Sequence, residues 1–113
     1  MEYRDQQIPG INGNIVLYAR VSTGKTESDT TENQFQEMKR WCSENGYDVV
    51  AEFKDLCSGR SLECRIGLKE AIVYSRATNA KIAVVELSRL SRSVSDTADL
   101  MDSNTEFVFT RSG

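Results

Sequence analysis

Four short apolar, β-branched runs punctuate this chain, and segments with helical spacing fall between them. The runs are Asn14–Ala19 (NIVLYA), Tyr47–Lys54 (YDVVAEFK), Lys81–Leu87 (KIAVVEL) and Glu106–Thr110 (EFVFT). Each has the length of a strand and is too short for a buried helix. After the first, Val21–Asp29 reads as a polar loop, and Thr31-x-x-Gln34 has the form of a capping box. Phe35, Met38, Trp41 and Cys42 then recur at helical spacing as core positions, and Gly46 supplies a stop. After the second run comes a loop, Asp55–Cys64, and then Leu68, Ala71, Ile72 and Ser75 line one face of a second helix. A third, short helix is expected from Ser93-x-x-Asp96 through Asp102. Strands alternating with helices define an α/β domain with a mainly parallel central sheet of about four strands and helices on both faces.

The chain has 113 residues, the size of one domain. Residues 1–13 are polar and carry Pro9, Gly10 and Gly13, so a disordered leader is expected ahead of a domain spanning 14–113. No apolar run approaches the ~18 residues of a membrane span, and a membrane partner is not expected. There is no histidine, which excludes Ser-His-Asp and Cys-His catalysis within the chain and argues against a zinc site. Cys42, Cys57 and Cys64 form no CxxC and leave an odd thiol, as expected of a reducing, cytoplasmic setting.

Charge is distributed unevenly. The net charge is −3, yet the stretch from Arg60 to Arg92 holds seven basic and three acidic residues. Five of those seven are arginine, the fork that grips phosphate in a fixed geometry. In open α/β sheets ligands bind outside the carboxyl ends of the strands. Those ends are the segments Arg20–Ser22, Asp55–Arg65 and Ser88–Arg92, so an anion site is expected where they converge.

A phosphate-binding loop competes for the first of them. Ala19-x-x-x-x-Gly24-Lys25-Thr26 fits a loose Walker A pattern after a strand. The strict form has Gly where Ala19 stands, and its helix begins at the Gly-Lys-Thr so that helix amides cradle the phosphate. Here Glu27-Ser28-Asp29-Thr30-Thr31 follows, with no apolar residue before Phe35, and the third strand ends Val84-Val85-Glu86 rather than in Asp. A small nucleotide-binding protein is therefore the weaker reading.

Tyr18-Ala19-Arg20-Val21-Ser22-Thr23 leaves the first strand with a hydroxyl and a guanidinium two residues apart. Gln34 follows in the next helix, and Phe53-Lys54-Asp55 leads to Ser58-Gly59. Arg65-Ile66-Gly67-Leu68 and Leu87-Ser88-Arg89-Leu90-Ser91-Arg92 complete the series. In order and spacing, from about Ile15 to Phe109, these segments resemble the catalytic domain of serine recombinases, the resolvase/invertase and large-integrase family. The resemblance implies a resolvase-like fold and a site-specific DNA recombinase. Ser22 would attack a phosphodiester of double-stranded DNA to give a 5′-phosphoserine and a free 3′-OH. Strand exchange and religation would follow without metal, ATP or other cofactor, in a self-associated assembly. The implied catalytic set is Ser22, Arg20, Arg65, Arg89, Arg92, Gln34 and Asp55, with Lys25, Arg60 and Ser88 as weaker DNA-phosphate contacts.

Elementary chemistry agrees with that implication. Serine is a weak nucleophile at its free pKa, and without histidine the developing charge must be met by guanidiniums. Phosphodiester cleavage asks catalysis for on the order of 20 kcal/mol, and a single arginine finger contributes roughly 10³–10⁵ in rate. Asp55 is a candidate for orienting arginines or handling a proton. The sequence departs from the family at Ser88, where an aspartate is common. It also ends at Gly113, just past the fourth strand, where the family continues into a long dimerisation helix and a DNA-binding region. The expectation is thus a truncated domain that binds DNA weakly by itself, and the alternative is a degenerate module with a regulatory or assembly role.

Overall fold

The computed structural model describes residues 11–23, 30–58, 65–86, 89 and 105–111, with backbone alone at 22, 23, 57 and 58. The expected third helix lies outside the described residues. The elements run β1 (Asn14–Thr23), α1 (Thr31–Glu44), β2 (Asp48–Ser58), α2 (Ile66–Thr78), β3 (Lys81–Val84) and β4 (Phe107–Phe109). The strands form one sheet in the order β2-β1-β3-β4, and every neighbouring pair is parallel. The sequence expectation of a parallel α/β sheet therefore holds.

Alternation along β1 builds two cores. Ile15, Leu17 and Ala19 pack with Phe35, Met38 and Cys42 of α1 on one face. Val16 and Tyr18 pack with Leu68 and Ala71 of α2 on the other. A strand buried on both faces must be apolar at every position, which is why Ile15–Ala19 forms an unbroken apolar run. Burying each large side chain contributes about 1.5–3 kcal/mol.

The first two strands run further than their polar ends suggest. β1 continues through Arg20–Thr23 and β2 through Asp55–Ser58, pairing as Arg20↔Asp55, Val21↔Leu56, Ser22↔Cys57 and Thr23↔Ser58. The register of β1 with β3 covers only Ile15–Leu17. A two-stranded parallel ribbon thus extends past the third strand, and Ser22 stands in a strand rather than in the expected loop. Backbone pairing is indifferent to side-chain polarity, so a hydropathy reading ends the strands where burial ends and the ladder does not.

Caps fix the helices. Thr30, not Thr31, is the N-cap of α1, and its Oγ1 accepts the Asn33 N–H at 3.0 Å. Gln34 is thereby released from the expected capping box. Gly46 turns the chain with φ +73°, a conformation suited to glycine, and Tyr47 N–H returns to the Cys42 carbonyl at 2.9 Å. Of the expected leader, Ile11–Gly13 are described: Asn12 donates its N–H to the Gly46 carbonyl at 2.7 Å, and Asp48 donates to the Gly13 carbonyl at 3.0 Å.

The N-terminus of α2 is capped from another element. Its N-cap residue, Arg65, makes no side-chain cap. The Asp55 carboxylate on β2 instead accepts the N–H groups of Gly67 at 2.8 Å and Leu68 at 3.1 Å. Gly67 permits this approach, since a Cβ there would lie 2.9 Å from the Lys54 carbonyl carbon and 3.0 Å from Asp55 Oδ1.

Candidate active site at the carboxyl edge of the sheet

The end of β1 is held through its backbone. Gln34, fully buried on α1, donates from Nε2 to the Arg20 carbonyl at 3.1 Å and accepts the Arg20 N–H on Oε1 at 3.4 Å. Arg89, following β3, donates from Nη1 to the same carbonyl at 3.3 Å. One carbonyl, two residues before Ser22, therefore joins β1, α1 and the segment after β3.

Acidic side chains hold the flanking guanidiniums. Glu86 approaches Arg89 Nε at 3.8 Å and Arg111 Nη1 at 3.4 Å. Arg111 also grips Glu37 of α1 in a two-pronged pair, Nε to Oε2 at 2.8 Å and Nη2 to Oε1 at 3.0 Å. This chain of charges ties the exit of β4 to α1 and to Arg89.

On the α2 side, the Tyr18 hydroxyl donates to Asp55 Oδ2 at 2.6 Å. Tyr18 is fully buried, and burial first, then the bond to Asp55, pushes its pKa above the phenolic range. The Arg20 and Arg65 guanidiniums act on the same phenol in the opposite direction, with less weight than burial and Asp55.

The structure thus brings Arg20, Gln34 and Arg89 to one node, and ties Asp55 to Tyr18 and to the first turn of α2, whose N-cap residue is Arg65. Ser22 lies next to last in β1, with its backbone opposite Cys57. Lys25, Arg60, Ser88 and Arg92 lie outside the described residues. Sequence reasoning missed Arg111, Glu37 and Glu86, because their pairing joins elements far apart in the chain. It also passed over Tyr18 as a functional position, although a hydroxyl inside the buried run Ile15–Ala19 asks for a buried partner. Among the described residues, no cluster of three His, Cys, Asp or Glu could hold a metal ion, and no helix is long and apolar enough to cross a membrane. A groove of about 500 Å³ lies at the opposite edge of the sheet, against Asn14, Arg76, Lys81 and Glu106, away from this site.

A four-stranded parallel sheet between helices, with a serine near the end of its first strand and with Gln34 and Arg89 meeting at the Arg20 carbonyl two residues before it, is the frame of a serine recombinase catalytic domain. Residues 15–109 match the family model described as "Resolvase, N terminal domain", and the chain belongs to that family. Among solved structures it is similar to the N-terminal catalytic domain of TP901-1 integrase, with TM-score 0.73 and 25% identity over 86% of this chain and 77% of the other. It is similar as well to a resolvase family site-specific recombinase from Streptococcus pneumoniae, with TM-score 0.71 and 28% identity over 86% and 71%. The catalytic domain of ISC1926 TnpA, an IS607-like serine recombinase, shares the fold at TM-score 0.69 and 22% identity, over 87% and 70%. No curated relative matches the chain.

Proposed function

We propose that this domain cuts and rejoins double-stranded DNA, with Ser22 as the nucleophile. The Ser22 oxygen attacks phosphorus in line. The bond to the 3′ oxygen breaks, and that oxygen leaves as a free 3′-OH after taking up a proton. The new bond is a 5′-phosphoserine diester, so the bond energy is conserved. Attack by another 3′-OH reverses the step and seals the strand without ATP. Arg20, Arg65, Arg89 and Arg92 neutralise the non-bridging oxygens and favour the alkoxide form of Ser22. Gln34 holds the Arg20 backbone and so fixes the strand that carries the serine. Lys25, Arg60 and Ser88 contact DNA phosphates and set register rather than chemistry. Exchange of strands between two cut duplexes needs several copies, so the working form is a self-assembled complex on DNA.

The observation that carries this reading is the node at the Arg20 carbonyl, where Gln34 and Arg89 meet two residues before Ser22. The test uses a pool of nicked duplexes of mixed sequence, in which a cut strand loses its 3′-OH fragment by diffusion and the adduct accumulates. SDS-resistant protein–DNA species are expected with the wild type and absent with Ser22→Ala. DNA binding without any adduct from the wild type would mark the domain as a regulatory or assembly module instead.

A further inference from the structure

We infer that Tyr18 is a positioning residue for Arg65, acting through Asp55; the inference rests on the reading of Arg65 as a phosphate-binding group. Phenylalanine would fill the space of Tyr18 equally well. What the tyrosine adds is one buried hydrogen bond, 2.6 Å from its hydroxyl to Asp55 Oδ2. The same carboxylate accepts the Gly67 N–H on Oδ1 and the Leu68 N–H on Oδ2. Three donors from two elements occupy most of its acceptor sites, which makes Asp55 an anchor and leaves it poorly placed to take a proton during chemistry.

The anchor matters because of what it holds. Arg65 is the N-cap of α2 and supplies no side-chain cap. The first turn of α2 therefore depends on Asp55, and the negative carboxylate also suits the positive end of the helix dipole. Gly67 lets that turn lie close to the Lys54 carbonyl, where a Cβ would collide with it. Rigid links thus run from Tyr18 on β1, through Asp55 on β2, to the first turn of α2 and out to Arg65. Tyr18 precedes Arg20 by two residues and Ser22 by four on one strand. The Tyr18 hydroxyl accordingly adds, to the β1–β2 ladder and the apolar packing of α2 on β1, a polar tie that runs from the strand carrying the nucleophile to the carboxylate capping the helix that Arg65 precedes.

The test is a titration of the whole chain with inorganic phosphate, followed by NMR at the Arg65 Nε–Hε resonance and at the Gly67 and Leu68 amides. Tyr18→Phe is expected to move all three resonances in the phosphate-free protein and to weaken phosphate binding about tenfold, the scale of one weakened hydrogen bond to a charged group. In an Arg65→Gln background the same substitution is expected to change phosphate affinity no further, because coupled residues are non-additive. A purely structural tyrosine would weaken binding equally in both backgrounds, and that result overturns the inference. Unchanged resonances in Tyr18→Phe overturn it as well. Asp55→Asn, which keeps the shape and one acceptor oxygen, replaces Tyr18→Phe if the latter does not fold, with the same outcomes decisive. If phosphate fails to perturb Arg65 in the wild type, the phosphate-binding reading falls. The resonances of the phosphate-free variants then still decide whether Tyr18 positions Arg65.

Discussion

Gln34 meets Arg20 through the main chain: its side-chain amide takes both the N–H and the carbonyl of Arg20, as a neighbouring strand would. The glutamine therefore substitutes for a ladder partner on the α1 side of the sheet, where β1 has run beyond its register with β3. Gln34→Ala removes a fully buried pair and leaves the Arg20 N–H without this acceptor. A loss of about 2–3 kcal/mol in stability is expected, measured by urea denaturation. Adduct formation should fall further than the folded fraction does, because the strand end carrying Ser22 loses its brace.

Gly67→Ala tests how tightly α2 is seated. The added methyl meets the Lys54 carbonyl and Asp55 Oδ1. Backbone cannot yield as a flexible side chain does, so overpacking is expected to cost about 1–3 kcal/mol. Equilibrium denaturation reads the cost, and hydrogen exchange at Leu68 reads the loosened cap. A variant as stable as the wild type would show that the contact is not tight.

Glu86→Gln probes the charge chain at the other node. The Glu86 side chain is well exposed, so its ion pairs are screened and stability should stay within about 0.5 kcal/mol of the wild type. Adduct formation should nonetheless drop several-fold, since Arg89 loses a carboxylate that orients it. Rates measured at saturating DNA separate this effect from weaker binding.

Alkaline behaviour follows from two buried groups. Burial raises the Cys42 thiol from its ordinary 9.0 to about 11, and burial with the Asp55 bond raises Tyr18 above its ordinary 10.0. A raised folded-state pKa contributes stability that is fully present below the unfolded value and is lost as pH climbs towards the folded one. Stability should therefore be level from pH 7 to 8.5 and fall above pH 9, first from Cys42 and then from Tyr18. Thermal melts across this range check the order, and Cys42→Ala should remove the earlier part of the decline. At neutral pH the Cys42 thiol should resist alkylation until the protein is unfolded.

The sheet, the two helices and their faces were legible because burial on both sides of β1 leaves a continuous apolar record, and because α1 and α2 repeat their buried positions at helical spacing. The family was legible because five short motifs follow in order. The ends of β1 and β2 were not, since Arg20–Thr23 and Asp55–Ser58 pair by backbone while their side chains read as loop. Nor could the chain order show that Gln34 would bind a backbone, that Asp55 would cap α2, or that Arg111 would reach Glu37 across 74 residues. These are long-range pairings of polar groups, and polar groups carry no periodic signature of their partner.

The central claim is most directly tested at Ser22 itself. The chain is incubated with nicked duplex DNA and quenched in denaturant. Nuclease and protease digestion follow, and the peptides are mapped by mass spectrometry. The account predicts a nucleotide joined by its 5′-phosphate to the peptide bearing Ser22, with the linkage on that hydroxyl. A nucleotide linked to any other residue, or an adduct that survives Ser22→Ala, would contradict it.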